Sequence, residues 1–130
     1  AERLNLYKKL GEFTEEIQLE RFEKHLKDRF GELPIEVVDL LDSVRIKWLA
    51  KKIGLEKIVL KQKRMIGYFI SNQQSEYYST EAFTKVLKYV QKNPTTCVMK
   101  EKQTKAGLRL LITFIRIDSI KKALEVLRAV

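Results

Sequence analysis

Cysteine and histidine are almost absent from this 130-residue chain: Cys97 and His25 are the single examples of each. One cysteine excludes an internal disulfide and points to a reducing compartment. One Cys and one His exclude a zinc site of the usual ligand set. Glycine is sparse, with five residues scattered at positions 11, 31, 54, 67 and 107. A phosphate-binding loop needs clustered glycines followed by Lys and Ser or Thr, so no nucleotide site and no cofactor are expected. No apolar run approaches membrane-spanning length, so no membrane partner is expected. The first residues are charged and already helix-patterned, which excludes a secretory signal. The chain begins on Ala1 in the middle of that pattern and reads as a piece of a longer polypeptide. A cytoplasmic monomer is the expectation.

A catalytic constellation is also missing. His25 has Asp28 at i+3 as a potential orienting partner, but a working site needs further groups. A partly exposed helix histidine beside Phe22 and Leu26 is the simpler reading. Cys97 falls in a strand candidate, where it packs as a small apolar residue. An enzyme is therefore not expected.

What is present is charge and periodicity. The hydrophobic fraction of 45% and charged fraction of 33% describe a globular chain of a size suited to one domain. Residues 1–55 hold 11 basic and 11 acidic residues, whereas residues 56–130 hold 15 basic and 6 acidic ones. The whole net charge of +9 thus sits in the second part. A basic half suits nucleic acid, an acidic protein partner or solubility.

The pattern predicts a short helix over 3–10, interrupted by Gly11. A second helix is capped by Thr14, with Phe22, Leu26 and Phe30 on one face, and ends at Gly31. Pro34 opens a third helix of about twenty residues that closes at Gly54. Strands follow at 58–60 and 65–70, the second with Ile66, Tyr68 and Ile70 on one side, joined through Gln62, Lys63 and Arg64. A polar loop spans 72–79. Thr80 or Ser79 caps a helix turning Phe83, Val86, Leu87 and Val90 inward, stopped at Asn93 and Pro94. A second hairpin pairs 97–100 with 108–115 across a loop carrying Lys102, Lys105 and Gly107. Its Leu108, Leu110, Ile112 and Phe114 face the core. Asp118 caps the last helix. The expectation is one α+β domain, with a helical part at 1–54 and a ββαββα part at 55–130 built on an antiparallel sheet packed against helices.

One junction is more specific than its periodicity. The segment His25-Leu26-Lys27-Asp28-Arg29-Phe30-Gly31-Glu32-Leu33-Pro34 resembles the Glu-Leu-x-Asp-Arg-Phe-Gly-x-Leu-Pro signature of the C-terminal (TRCF) module of bacterial transcription-repair coupling factors (Mfd). Upstream, Arg3-Leu4-Asn5-Leu6-Tyr7-Lys8-Lys9-Leu10 is similar to that family's Arg-x-x-x-Tyr-Lys-x-hydrophobic segment. Ala50-Lys51-Lys52-Ile53-Gly54-Leu55 extends the likeness more loosely, and beyond it the match lies in element order.

The resemblance implies a regulatory role without catalysis. The parent would be an ATP-dependent double-stranded DNA translocase that displaces stalled RNA polymerase and recruits excision repair through UvrA. The module would dock on the UvrB-like module of the same chain, mask the UvrA-binding surface and restrain translocation. Asp28 is the acidic docking residue that the resemblance implies. The family's glutamate three residues earlier is His25 here, so an ionic contact of that kind is expected to be weaker or to use Glu23 or Glu32 instead. In the structural reading of the same motif, Arg29 and Asp28 fix the junction through local pairs and Phe30 anchors the core. Arg3, Tyr7, Gly31, Leu33 and Pro34 complete the motif.

The runner-up is a nucleic-acid-binding module. Lys61, Lys63 and Arg64 near Tyr68, with Lys102 and Lys105 in the second hairpin, supply cations for phosphates. No RNP-like or helix-turn-helix signature accompanies them. Outward lysines also keep edge strands from aggregating, and that reading is preferred.

Overall fold

The structure is a computed structural model describing residues 2–130, with side chains described from residue 5 onward. The side chain of Arg3 therefore lies outside the described residues. The chain forms two compact units, Ala1–Arg45 and Ile46–Val130, so the division falls inside the third helix, upstream of Gly54.

The first unit is helical. Helix α1 covers Glu2–Gly11 and α2 covers Glu16–Phe30. The N-cap of α2 is Glu15 rather than Thr14. Gln18 reaches back, and its Oε1 accepts from the backbone N–H groups of Thr14 at 2.8 Å and Glu15 at 3.1 Å. This is one arm of a capping box, the N3 side chain satisfying the N-cap N–H while the Glu15 side chain accepts from the Gln18 backbone,. Gly31 ends α2 at φ +79°, its N–H donating to Lys27 O at 2.8 Å. Helix α3 covers Ile35–Ile53. Pro34 stands just before it, its carbonyl accepting from Val37 and Val38. Leu10, Leu19 and Leu41 are buried in this unit. Phe13 meets Phe22 edge-on, with ring centroids 5.4 Å apart.

Asp42 is the only buried charged residue among those described. Arg45 donates to it at 2.8 Å and grips Glu16 with two further nitrogens at 2.9 and 3.0 Å. Burial pulls the Arg45 guanidinium down, but the hydrogen bonds it donates to Glu16 and Asp42, with their negative charges, outweigh it and hold its pKa above the usual value. The cluster ties the start of α2 to the middle of α3.

The second unit is α+β. Strands β1 (Leu55–Lys61), β2 (Arg64–Phe69), β3 (Cys97–Thr104) and β4 (Gly107–Ile115) form one antiparallel sheet in the order β1-β2-β4-β3. Each hairpin is followed by a helix, α4 (Glu81–Lys92) and α5 (Ile120–Ala129). The two hairpins meet through β2 and β4, so the strand order is symmetric about that pair. The core gathers Met65, Phe69, Ile112 and Phe114 from the sheet with Val86 of α4 and Leu127 of α5. The expected helices-then-ββαββα order and antiparallel α+β class are observed.

Several local expectations are corrected. The last helix is capped by Ser119, whose hydroxyl accepts from Lys122 N at 3.0 Å, and not by Asp118. Leu87 is exposed, and Tyr89 packs against the core in its place. The second hairpin is longer than expected, so Lys102 lies within β3 opposite Arg109 and not in a loop. Leu108, at the far end of that hairpin, is 45% exposed although it shares a face with Ile112. The segment read as a polar loop contains a short 3-10 turn, Glu76–Ser79. It carries Tyr77 and Tyr78 into an aromatic cluster with Phe69 and Phe83.

Candidate docking surface at the α2–α3 junction

The glycine that stops α2 leaves its last turn projecting past the buried part of the helix. Phe30 continues the apolar row of Phe22 and Leu26, so sequence periodicity places it inward. It is instead 66% exposed. The guanidinium of Arg29 lies over its ring, 5.3 Å from the centroid. A cation held over an aromatic face is favourable by about 0.5–1 kcal/mol at exposed sites.

Phe30 borders an open groove of about 680 Å³. Leu6 and Lys9 of α1, Phe22 and Leu26 of α2, and Val37 of α3 line it. The connection contributes Glu32, Leu33 and Pro34. The groove is therefore apolar along its floor, with Lys9, Arg29 and Glu32 as its charged groups.

The structure separates the predicted docking residues. A helix advances about 100° per residue, so His25 and Asp28 stand about 60° apart on one flank of α2. Glu23 is about 160° from His25, on the other flank, and is half-buried. Glu32 lies beyond the helix end, in the groove. His25 and Asp28 therefore share one flank of α2, and Glu23 lies on the opposite one,. Both His25 and Asp28 are exposed. Among the described residues Asp28 forms no ion pair, neither with Arg29 nor with His25. The local pairing expected at the junction is absent, and so is the anchoring of Phe30 in the core. Tyr7, the second motif residue of α1, is 52% exposed and does not line the groove.

The basic candidates are also separated. Lys61, Lys63 and Arg64 surround the β1–β2 turn, whereas Lys102 and Lys105 lie toward the β3–β4 turn. Arg64 pairs with Ile115 and Thr104 with Gly107, at opposite ends of β4. At about 3.4 Å per residue the two clusters are roughly 27 Å apart. All five are exposed, but they form two patches. No group of three or more His, Cys, Asp or Glu side chains that could hold a metal occurs among the described residues. Among them, too, no helix is long and apolar enough to cross a membrane.

Leu6, Lys9 and Val37 escaped the sequence reading as groove residues. Their signal was present only as ordinary helical periodicity, which identifies an apolar face but not whether anything covers it.

These features describe an α+β protein whose most distinctive surface suits contact with another macromolecule. A family model described as the TRCF domain matches residues 1–80. The transcription-repair-coupling factor of Rickettsia conorii is 36% identical over 90 residues, covering 69% of this chain and 7% of that protein. That of Staphylococcus epidermidis is 34% identical over 122 residues, covering 87% of this chain and 10% of the relative. A solved structure, the crystal structure of the C-terminal domain of transcription-repair coupling factor, superposes with a TM-score of 0.65. It covers 97% of this chain and 76% of its own at 18% identity, a likeness of fold. The chain belongs to the TRCF domain family, and it spans less than a tenth of the length of the Rickettsia conorii relative.

Proposed function

We propose that residues 1–130 act as one C-terminal regulatory domain of a transcription-repair coupling factor. The domain docks on the UvrB-like module of the same parent chain and masks the UvrA-binding surface. It thereby restrains an ATP-dependent DNA translocase until RNA polymerase is engaged. The observation that carries this reading is Asp28, exposed at the end of α2 and without an ion pair among the described residues, with Phe30 exposed about 160° further around the same helix end,. A free carboxylate offers a site for an arginine, and Phe30 offers apolar area worth about 1.5–3 kcal/mol if fully covered. A tether raises the effective concentration of the docking surface, so modest contacts suffice to hold it closed. The same modest affinity lets a partner release it.

The test is a pull-down of the parent's UvrB-like module on this chain, repeated with Asp28→Ala and Phe30→Ala. Capture by the wild type that falls with either substitution is expected. In the full-length parent, Asp28→Ala is expected to raise UvrA binding. Equal capture by all three proteins would remove the junction as the docking surface.

A further inference from the structure

The sheet of the second unit has two faces, and only one is used by its core. Alternation places Met65, Phe69, Ile112 and Phe114 on the core side. The intervening residues lie on the other side and take no part in that core cluster, although Leu111 among them is buried, at 7% exposure. The register lines up Val59, Ile66, Thr113 and Val98 as one row across all four strands. Val98 is 43% exposed and the other three are half-buried. One step along the strands, Lys57, Tyr68, Leu111 and Lys100 form the next row. One step the other way, Lys61, Arg64 and Ile115 form the third, its cations on β1 and β2.

The face is thus an apolar strip flanked on both sides by cations. Lys57 and Arg109 both pack on the Tyr68 ring, at 5.1 and 5.3 Å from its centroid. Arg109 is also paired with Glu56 at 2.8 Å. Among the described residues Lys57, Lys61, Arg64 and Lys100 form no ion pair.

We propose that this open sheet face docks an acidic amphipathic helix of a protein partner, laid across the strands. Same-face rows are about 7 Å apart along a strand, so the two basic rows are about 13–14 Å apart. A helix with its side chains is about 10–12 Å across. It fits between them with its apolar stripe on Val59, Ile66, Thr113 and Val98 and with carboxylates reaching both flanks. Four strands at about 4.8 Å spacing span about 14 Å, which two to three helical turns cover. Apolar centre and charged rim are the anatomy of a protein interface. A nucleic acid is disfavoured, because Tyr68 is the one aromatic on this face and cations already occupy its ring, leaving no base-stacking platform. The inference is independent of docking at the α2–α3 junction.

The test is an NMR titration of the isotope-labelled chain with a helical peptide of about 14 residues. The peptide carries Leu along one stripe and Glu on both flanks. Two control ligands are the same peptide with Lys flanks and a short DNA duplex. Expected are amide shifts centred on Val59, Ile66, Thr113 and Val98, with no binding of the Lys-flanked peptide. Affinity is expected to fall about tenfold in Lys57→Glu/Lys100→Glu, two exposed positions on edge strands. Absence of shifts on this face at millimolar peptide would overturn the proposal. So would equal binding of the Lys-flanked peptide, or tighter binding of the duplex to the same residues.

Discussion

The ring of Tyr77 occupies the space that a side chain on Gly54 would need. Gly54 closes α3 at φ +105°, a conformation that L side chains rarely adopt,. The Tyr77 hydroxyl donates to the carbonyl of Ile53, the last residue of α3. This contact fastens the end of the long helix to the 3-10 turn before α4. Gly54→Ala meets backbone strain of about 1–2 kcal/mol and displaces a half-buried ring. A loss of about 2–4 kcal/mol is expected. Tyr77→Phe removes only the hydrogen bond and is expected to cost about 1 kcal/mol. Urea unfolding followed by fluorescence of Trp48, the sole tryptophan, measures both. Gly54→Ala at wild-type stability would show that the ring moves aside freely.

The buried carboxylate of Asp42 makes the first unit sensitive to its partner. Arg45→Met leaves Asp42 buried without its cation, which typically costs about 3–5 kcal/mol. Asp42→Asn keeps the shape and an acceptor and is expected to cost less. The exposed end of the cluster, Glu16→Gln, is expected to cost under about 1 kcal/mol. Thermal denaturation by circular dichroism ranks the three. If Arg45→Met ranks no lower than Glu16→Gln, the carboxylate is solvated when its partner leaves.

The element order was legible because periodicity is a local signal. Phe22 and Leu26 at four-residue spacing gave α2, and the change to alternation after Gly54 gave the strands. Caps moved by one residue where a neighbour offered a second solution, as with Gln18 at α2 and Ser119 at α5. The junction motif was legible as a sequence, and its geometry was not. Phe30 obeys the apolar pattern of α2, but no spacing rule says that its face ends in an open groove. Tyr77 and Tyr78 lay in a stretch read as polar loop, since two residues carry no period. The outer sheet face was invisible for a different reason. Its cations are spread over three strands, Lys57 and Lys61 on β1, Arg64 on β2 and Lys100 on β3, and only register brings them into rows.

Cys97 is 1% exposed, and burial pushes its thiol from 9.0 up to about 11. Burial, with Tyr78 adding to it, pushes the Tyr77 hydroxyl from 10.0 up to about 12. Each group keeps its proton longer when folded than when unfolded. Their contribution to stability is therefore intact below about pH 9 and falls as the unfolded chain alone ionises. The loss runs from about pH 9 to 11 for Cys97, and Tyr77 extends it to about pH 12. Denaturant midpoints are expected to decline over this alkaline window, and Cys97→Ser is expected to shift where the decline begins. At pH 8 a thiol reagent is expected to label Cys97 only after unfolding. Immediate labelling of the native chain would contradict its burial.

The sharpest prediction concerns the flank shared by His25 and Asp28. If an arginine of the UvrB-like module meets Asp28, neutral His25 adds nothing beside it and protonated His25 repels it. His25→Glu sets a second carboxylate on the same flank, about one turn before Asp28. It is expected to tighten association by about 0.5–1 kcal/mol, roughly two- to fivefold, most clearly at low salt. Glu23→Gln on the opposite flank is expected to change nothing, which separates a local contact from a general effect of charge. Both positions lie on α2, and neither residue forms an ion pair among the described residues, so fold stability is expected to hold within about 0.5 kcal/mol. Titration calorimetry of the three proteins against the UvrB-like module at two salt concentrations decides the matter. An unchanged or weaker affinity for His25→Glu would mean that this flank of α2 faces solvent in the docked state.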